Sequence, residues 1–133
     1  MSLAAGRMRP EDELTSAAAT GDARRVQSLL QSGADPNRVN KFGRTPLQVM
    51  MAGSAAVALL LLQHGGDPNL PDRSTGDTPL HDAARGGFLD TVRALVEFHA
   101  DPRITDNRGR RPLDVAERAG HDEVAAFLRP RSG

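Results

Sequence analysis

The sequence predicts a mainly helical solenoid of four stacked helix–turn–helix units joined by hairpin-like loops. The first observation is a short motif, Gly followed by two residues and then Pro-Leu, that occurs three times at intervals of 33 residues. The motif occupies residues 43–47, 76–80 and 109–113. The second observation is an Asp-Pro turn that recurs at nearly the same interval, at residues 35–36, 67–68 and 101–102. A fixed period of about 20 to 50 residues is the signature of a repeat architecture.

Composition narrows the class of protein further. The chain has 133 residues, of which 38% are hydrophobic and 26% are charged, which is an ordinary balance for one globular core. The chain has 17 basic residues (Lys and Arg) and 17 acidic residues (Asp and Glu), so its formal net charge is +0. This balance argues against a nucleic-acid binder. The absence of cysteine excludes a disulfide framework and a thiol nucleophile. The longest apolar run, residues 55–62, is too short to predict a membrane span.

The third unit shows how one repeat is built. Thr78 supplies a helix cap and Pro79 suits the first helical position, where no backbone N–H is needed. Gly87 then ends this first helix, because glycine readily adopts the left-handed backbone that closes a helix. A second helix follows with apolar residues at helical spacing. The predicted core positions of the two helices are Leu80, Ala83 and Ala84, and then Val92, Leu95 and Val96.

The period and the Thr-Pro-Leu-His sequence at 78–81 resemble the ankyrin repeat. His81 of that motif is expected to make hydrogen bonds between repeats, so Thr78, Pro79, His81 and Gly87 are assigned structural roles. We expect residues 1–9 to form a disordered leader and residues 130–133 a tail. The predicted repeats span residues 10–42, 43–75 and 76–108, with a truncated fourth repeat at 109–129.

The second repeat departs from the others. Leu47 and Pro68 are 21 residues apart, whereas the equivalent pairs in repeats one and three are 22 apart. The missing residue falls near residues 51–54, so the first helix of repeat two is predicted to be short. Two interpretations are open: a tolerated deletion, or a reshaped binding surface.

Asp82 is the other departure. The same position in the other repeats holds Ser16, Val49 and Val115. A carboxylate there costs stability unless it is exposed or has a partner. The sequence therefore leaves two roles open for Asp82, a local hydrogen bond or a salt bridge to a basic residue of a binding partner.

Beyond the general repeat, four segments closely resemble the ankyrin-repeat inhibitors of the cyclin-D-dependent kinases, in their short, four-repeat form. The most specific are Gln-Val-Met-Met at 48–51 and His-Asp-Ala-Ala-Arg at 81–85, the latter continuing to Phe-Leu-Asp-Thr at 88–91. The others lie at 60–66 and 109–116, and the likeness spans roughly residues 12–129. The shortened helix of repeat two is also a trait of that family.

The resemblance implies a non-catalytic inhibitor that binds the kinase catalytic subunit and restrains the G1 phase of the cell cycle. It further implies distortion of the ATP site and weakened cyclin binding. Asp82 would pair with a kinase arginine, and Asp72 and Asp90 would add acidic or polar contacts. The apolar contacts would come from Met50, Met51 and Phe88, with Gln48 nearby. For the two methionines and for Phe88, packing in the core is the competing interpretation.

The resemblance also shows two differences and leaves one alternative. Where the family commonly has a third methionine and an acidic residue, this chain has Ala52 and Gly86. The alternative function is an ankyrin-repeat adaptor for a different protein partner. We expect a monomer located in cytoplasm and nucleus, with no cofactor, metal, nucleic acid, membrane or small-molecule substrate. The four histidines lack ligand spacing, and acidic residues intersperse the basic cluster at 108–111.

Overall fold

The computed structural model describes residues 10–133 and forms a row of four helix pairs. The expected leader, residues 1–9, lies outside the described residues. The helices are α1 (Pro10–Thr20), α2 (Ala23–Gln31), α3 (Pro46–Val49), α4 (Ala55–Gln63), α5 (Pro79–Gly86), α6 (Leu89–Glu97), α7 (Pro112–Ala119) and α8 (Asp122–Leu128). The odd-numbered helices form one row and the even-numbered helices form a second.

The core is a column of leucines that recurs once per repeat. Each side chain of the column is at most 5% exposed. Its members are Leu14, Leu47, Leu80 and Leu113. The even-numbered helices pack in sequence, α2 on α4, α4 on α6 and α6 on α8, while α1 packs on α3 and α5 on α7. The predicted solenoid is therefore confirmed, with its apolar surface buried between neighbouring repeats.

The shortened helix of repeat two is also confirmed, since α3 has four residues whereas α5 and α7 have eight. Thr45 begins α3 by accepting a hydrogen bond from the backbone of Gln48, whose side chain caps Thr45 in return. The helix ends because the Met51 N–H donates to the Ala18 carbonyl of repeat one, at 2.9 Å. A continued α-helix would require the same N–H to bond within repeat two.

The loops between repeats are tight turns, and no β-strand occurs in residues 10–133. Each turn is closed by a backbone hydrogen bond, for example from the Asp106 N–H to the Arg110 carbonyl at 2.9 Å. Asn37 and Asn69 join successive repeats, because each amide side chain bonds to backbone groups of the following repeat. These contacts fix the spacing of the row independently of the apolar core.

The chain past α8 continues as a 3₁₀ turn at Arg129–Arg131. Ser132 is buried, and its carbonyl accepts a hydrogen bond from the Arg111 side chain at 3.1 Å. The segment predicted as a tail therefore packs against repeat four. Within the described residues, none of the helices has the length and apolar character needed to span a membrane.

Replacement of the core residue Leu95 tests the packing. Leu95 is 0% exposed, so Leu95→Ala leaves a cavity and should lower the free energy of unfolding by roughly 2–5 kcal/mol. Urea titration followed by circular dichroism measures this change. The matched control is Leu70→Ala, because Leu70 is exposed and its truncation should shift the value by less than about 0.5 kcal/mol. Equal losses in the two variants would contradict the assignment of Leu95 to the core.

Native-state hydrogen exchange tests the distribution of stability along the row. Repeats one and two should open before repeats three and four, because the four-residue α3 offers fewer packing and backbone contacts than α5 or α7. Amide protons of α4 should therefore exchange faster than those of α6. Strongest protection in repeat two would refute this order.

Candidate functional site

The exposed groups expected to contact a partner lie at the junction of repeats two and three. Asp82 and Gly86 share one side of α5, since they are four residues apart. The Phe88 ring covers Gly86 and also packs on Gly53, in the same turn as Met51. We call this connected surface, formed by Met51, Gly53, Asp82, Gly86 and Phe88, the candidate face. Its apolar side chains are exposed, Met51 at 49% and Phe88 at 42%.

Asp82 makes a local ion pair, and that pair is shared. Arg85 Nη1 donates to Asp82 Oδ1 at 3.0 Å, while Arg85 Nη2 donates to Asp77 Oδ2 at 2.9 Å. The Asp82 side chain remains 42% exposed, whereas that of Asp77 is nearly buried. One guanidinium thus serves two carboxylates, and the more exposed carboxylate can still accept a bond from outside.

The protonation of Asp82 reflects this incomplete neutralisation. Partial burial, reinforced by the nearby negative charge of Asp77, raises the pKa of Asp82 from 3.8 to about 6. The ion pair with Arg85 acts in the opposite direction without cancelling these effects. The ionised form of Asp82 is therefore under-stabilised by the chain itself and favours an additional positive charge.

Two other expected contact residues serve the fold. Asp72 Oδ2 accepts a bond from Arg44 Nε at 2.8 Å, and its Oδ1 accepts from the backbone of the same turn. The Arg44 guanidinium holds the pKa of Asp72 below its usual value. Gln48 Nε2 donates to the carbonyls of Leu70 and Pro71, so Gln48 ties α3 to the following loop. Each side chain already has internal partners.

The remaining expected contacts separate into buried and exposed groups. Met50 is only 8% exposed and packs in the core, so it offers a partner little surface in the free chain. The reason is register, because Met50 occupies the position held by the buried Ala17, Ala83 and Ala116. Asp90 lies exposed in the first turn of α6 and makes no side-chain hydrogen bond or ion pair with residues 10–133.

The residues assigned structural roles form a buried cluster beside the candidate face. The Thr78 N–H donates to His81 Nδ1 at 3.0 Å, which leaves Nε2–H to donate to the Arg110 carbonyl of repeat four at 2.8 Å. His81 therefore links two repeats, as expected. Gly87 has a φ of +74° and closes α5.

The same histidine lies close to two buried acids. One polar atom from each of Asp77, His81 and Asp106 falls within 4.8 Å of the others. Burial opposes ionisation of Asp106, but hydrogen bonds from Arg110 hold its pKa well below the usual value. Both His81 ring nitrogens are engaged in protein hydrogen bonds, so this donor set fits a structural network rather than a metal site.

Sequence reasoning missed the cations that organise these acids. Arg85 holds Asp82 and Asp77, and Arg44 holds Asp72. The three-residue spacing of Asp82 and Arg85 on one helix was an available signal for their pair. The Arg44–Asp72 pair joins residues 28 positions apart, so only the stacked fold reveals it.

Models of ankyrin repeats match residues 14–49 and 49–133. With the stacked helix pairs and the His81 link, these matches define the chain as an ankyrin-repeat protein.

Individual proteins are similar to this chain over most of its length. Cyclin-dependent kinase 4 inhibitor B of Bos taurus is 53% identical and covers 91% of this chain and 92% of its own length. The human protein of that name is 52% identical, over 92% of this chain and 89% of its own length. Human cyclin-dependent kinase inhibitor 2A is 51% identical, with 92% and 78% covered. The chain belongs to this family of ankyrin-repeat cyclin-dependent kinase inhibitors, and it is a regulatory protein rather than an enzyme.

The raised pKa of Asp82 predicts how stability depends on pH. The folded chain binds the Asp82 proton more tightly than the unfolded chain, so ionisation of Asp82 lowers the free energy of unfolding as pH rises from about 4 to about 6. Asp82→Asn should remove this loss and unfold at a higher urea concentration than wild type at pH 7. The difference in urea midpoint between this variant and wild type should be smaller at pH 4.

The matched control is Asp114→Asn. The pKa of Asp114 is lowered by its hydrogen bond with Arg111, so its ionised form stabilises the fold above its unfolded pKa. Asp114→Asn should therefore destabilise the chain at pH 7, opposite in sign to Asp82→Asn. A loss of stability in Asp82→Asn at pH 7 would show that Asp82 contributes to the fold as an ion.

Proposed function

We propose that the chain inhibits cyclin-D-dependent kinases by binding their catalytic subunit through the candidate face. The observation that carries the proposal is the half-exposed Asp82 carboxylate, which shares its only nearby guanidinium among the described residues with Asp77. A cation from a partner would complete its neutralisation. Membership in a family of cyclin-dependent kinase inhibitors supports a kinase as that partner.

The surroundings of Asp82 support binding strong enough to inhibit. Met51 and Phe88 present exposed apolar surface on the same connected face. Covering these side chains would exclude water from the Asp82 ion pair and strengthen it. An arginine of the kinase suits this role, because its planar guanidinium can form two hydrogen bonds with one carboxylate.

The proposed mechanism is a shift between kinase conformations. The inhibitor binds a conformation with a distorted ATP site and poor cyclin affinity better than the active one. Inhibitor and cyclin then weaken each other's binding by the same factor, as thermodynamic linkage requires. We place this action in cytoplasm and nucleus, with the inhibitor itself a monomer before it meets the kinase, and its outcome is restraint of G1 progression.

A binding titration with the catalytic subunit of a cyclin-D-dependent kinase tests this function. Wild type should bind with sub-micromolar affinity, and Asp82→Asn should weaken binding by roughly 30-fold or more, because it leaves the kinase cation without its partner. Calorimetry at pH 7.5 measures both affinities. Circular dichroism should show unchanged helix content in the variant.

Two controls give the experiment its specificity. Asp114→Asn changes a carboxylate in repeat four, outside the candidate face, and should bind like wild type. A kinase that partners cyclin E should bind neither form. If folded wild-type chain fails to bind the cyclin-D-dependent kinase, the proposal is wrong and the chain is an adaptor for another protein.

A further inference from the structure

The Phe88 ring lies in a slot between two glycines. A Cβ atom added to Gly53 would lie 3.2 Å from Phe88 Cε1, a tight contact on one edge of the ring. A Cβ atom added to Gly86 would overlap Phe88 Cε2 on the other edge. The ring can therefore occupy its place on the turn of repeat two only while residue 86 has no side chain.

The backbone does not require glycine at position 86. Gly86 is the last residue of α5 and has no positive φ, unlike Gly87, which follows it with a φ of +74°. The equivalent last residues of α1 and α7 are Thr20 and Ala119, both exposed. The repeat thus accepts a side chain here, and in this repeat the three atoms nearest to an added Cβ all belong to the Phe88 ring.

We propose that Gly86 is a positioning residue that determines where Phe88 presents its ring to the kinase. The effect of Gly86 on kinase binding rests on the proposed function, whereas the position of the ring is a property of the chain without the kinase. With Gly86, the ring packs on Gly53, in the turn that also holds Met51. With a larger residue, the ring must leave this slot.

The ring, rather than the helix, is the part that would move. Phe88 is 42% exposed, so the far end of its side chain can rotate into solvent at small cost. Alanine is also a better helix former than glycine. Gly86→Ala should therefore keep or raise the melting temperature while it displaces the ring, which separates positioning from folding.

The ring position is tested first, without any kinase. Phe88 should displace the α-proton resonances of Gly53 from their usual position through its ring current. Gly86→Ala and Phe88→Ala should each abolish that shift, whereas Ala119→Gly, at the same position of repeat four, should preserve it. An unchanged Gly53 shift in Gly86→Ala would overturn the proposal.

A double-mutant cycle then tests the consequence for binding. Gly86→Ala should weaken kinase affinity by about fivefold in the wild-type background and have no effect when Phe88 is already alanine. An equal effect in both backgrounds would overturn the proposal, because Gly86 would then act without Phe88. Loss of kinase binding by wild type itself would instead refute the proposed function, and the Gly53 resonances would still decide the ring placement.

Discussion

A pair of short helices in this chain cannot remove its own apolar face from water, and the rest of the structure depends on that constraint. The leucine of each repeat is buried only because the neighbouring repeat covers it. Stacking then has to satisfy the polar backbone at each junction, which is the role of Asn37, Asn69 and His81. The row is therefore held by two independent sets of contacts: the buried leucine column and the hydrogen bonds made by these three polar side chains.

The candidate face exists because this stacking is incomplete on one side. Asp77 is nearly buried and Asp82 half-exposed, and among the described residues both carboxylates pair with the same side chain, Arg85. The resulting carboxylate is unfavourable in the free chain and favourable toward an external cation. Under the proposed function, stability and binding impose opposite demands on this one side chain, as is common where a fold carries a functional site.

Sequence was sufficient for features set by period and local chemistry. The leucine column, the helix-ending Gly87, the short α3 and the linking His81 all followed from residue type and spacing. The sequence was insufficient to show whether a polar side chain faces solvent or bonds to a residue far away along the chain. Gln48 and Asp72 bond to the following loop and to Arg44, contacts that exist only after stacking. For Met50, the repeat position indicated burial and the resemblance to the family indicated partner contact, and the free chain buries this side chain.

The shortened helix also shows that glycines at the turns have a second role besides ending helices. Phe88 covers Gly53 and His121 covers Gly87, so a side chain from the next repeat lies over the preceding turn. In repeat two the chain leaves α3 at Met50, and Met51 covers Gly21 instead, with its sulfur 2.9 Å from the position of an added Cβ. The deletion therefore reshapes the surface as well as shortening a helix. It places a flexible, exposed methionine beside the turn on which Phe88 packs, and so extends the apolar part of the candidate face into repeat one.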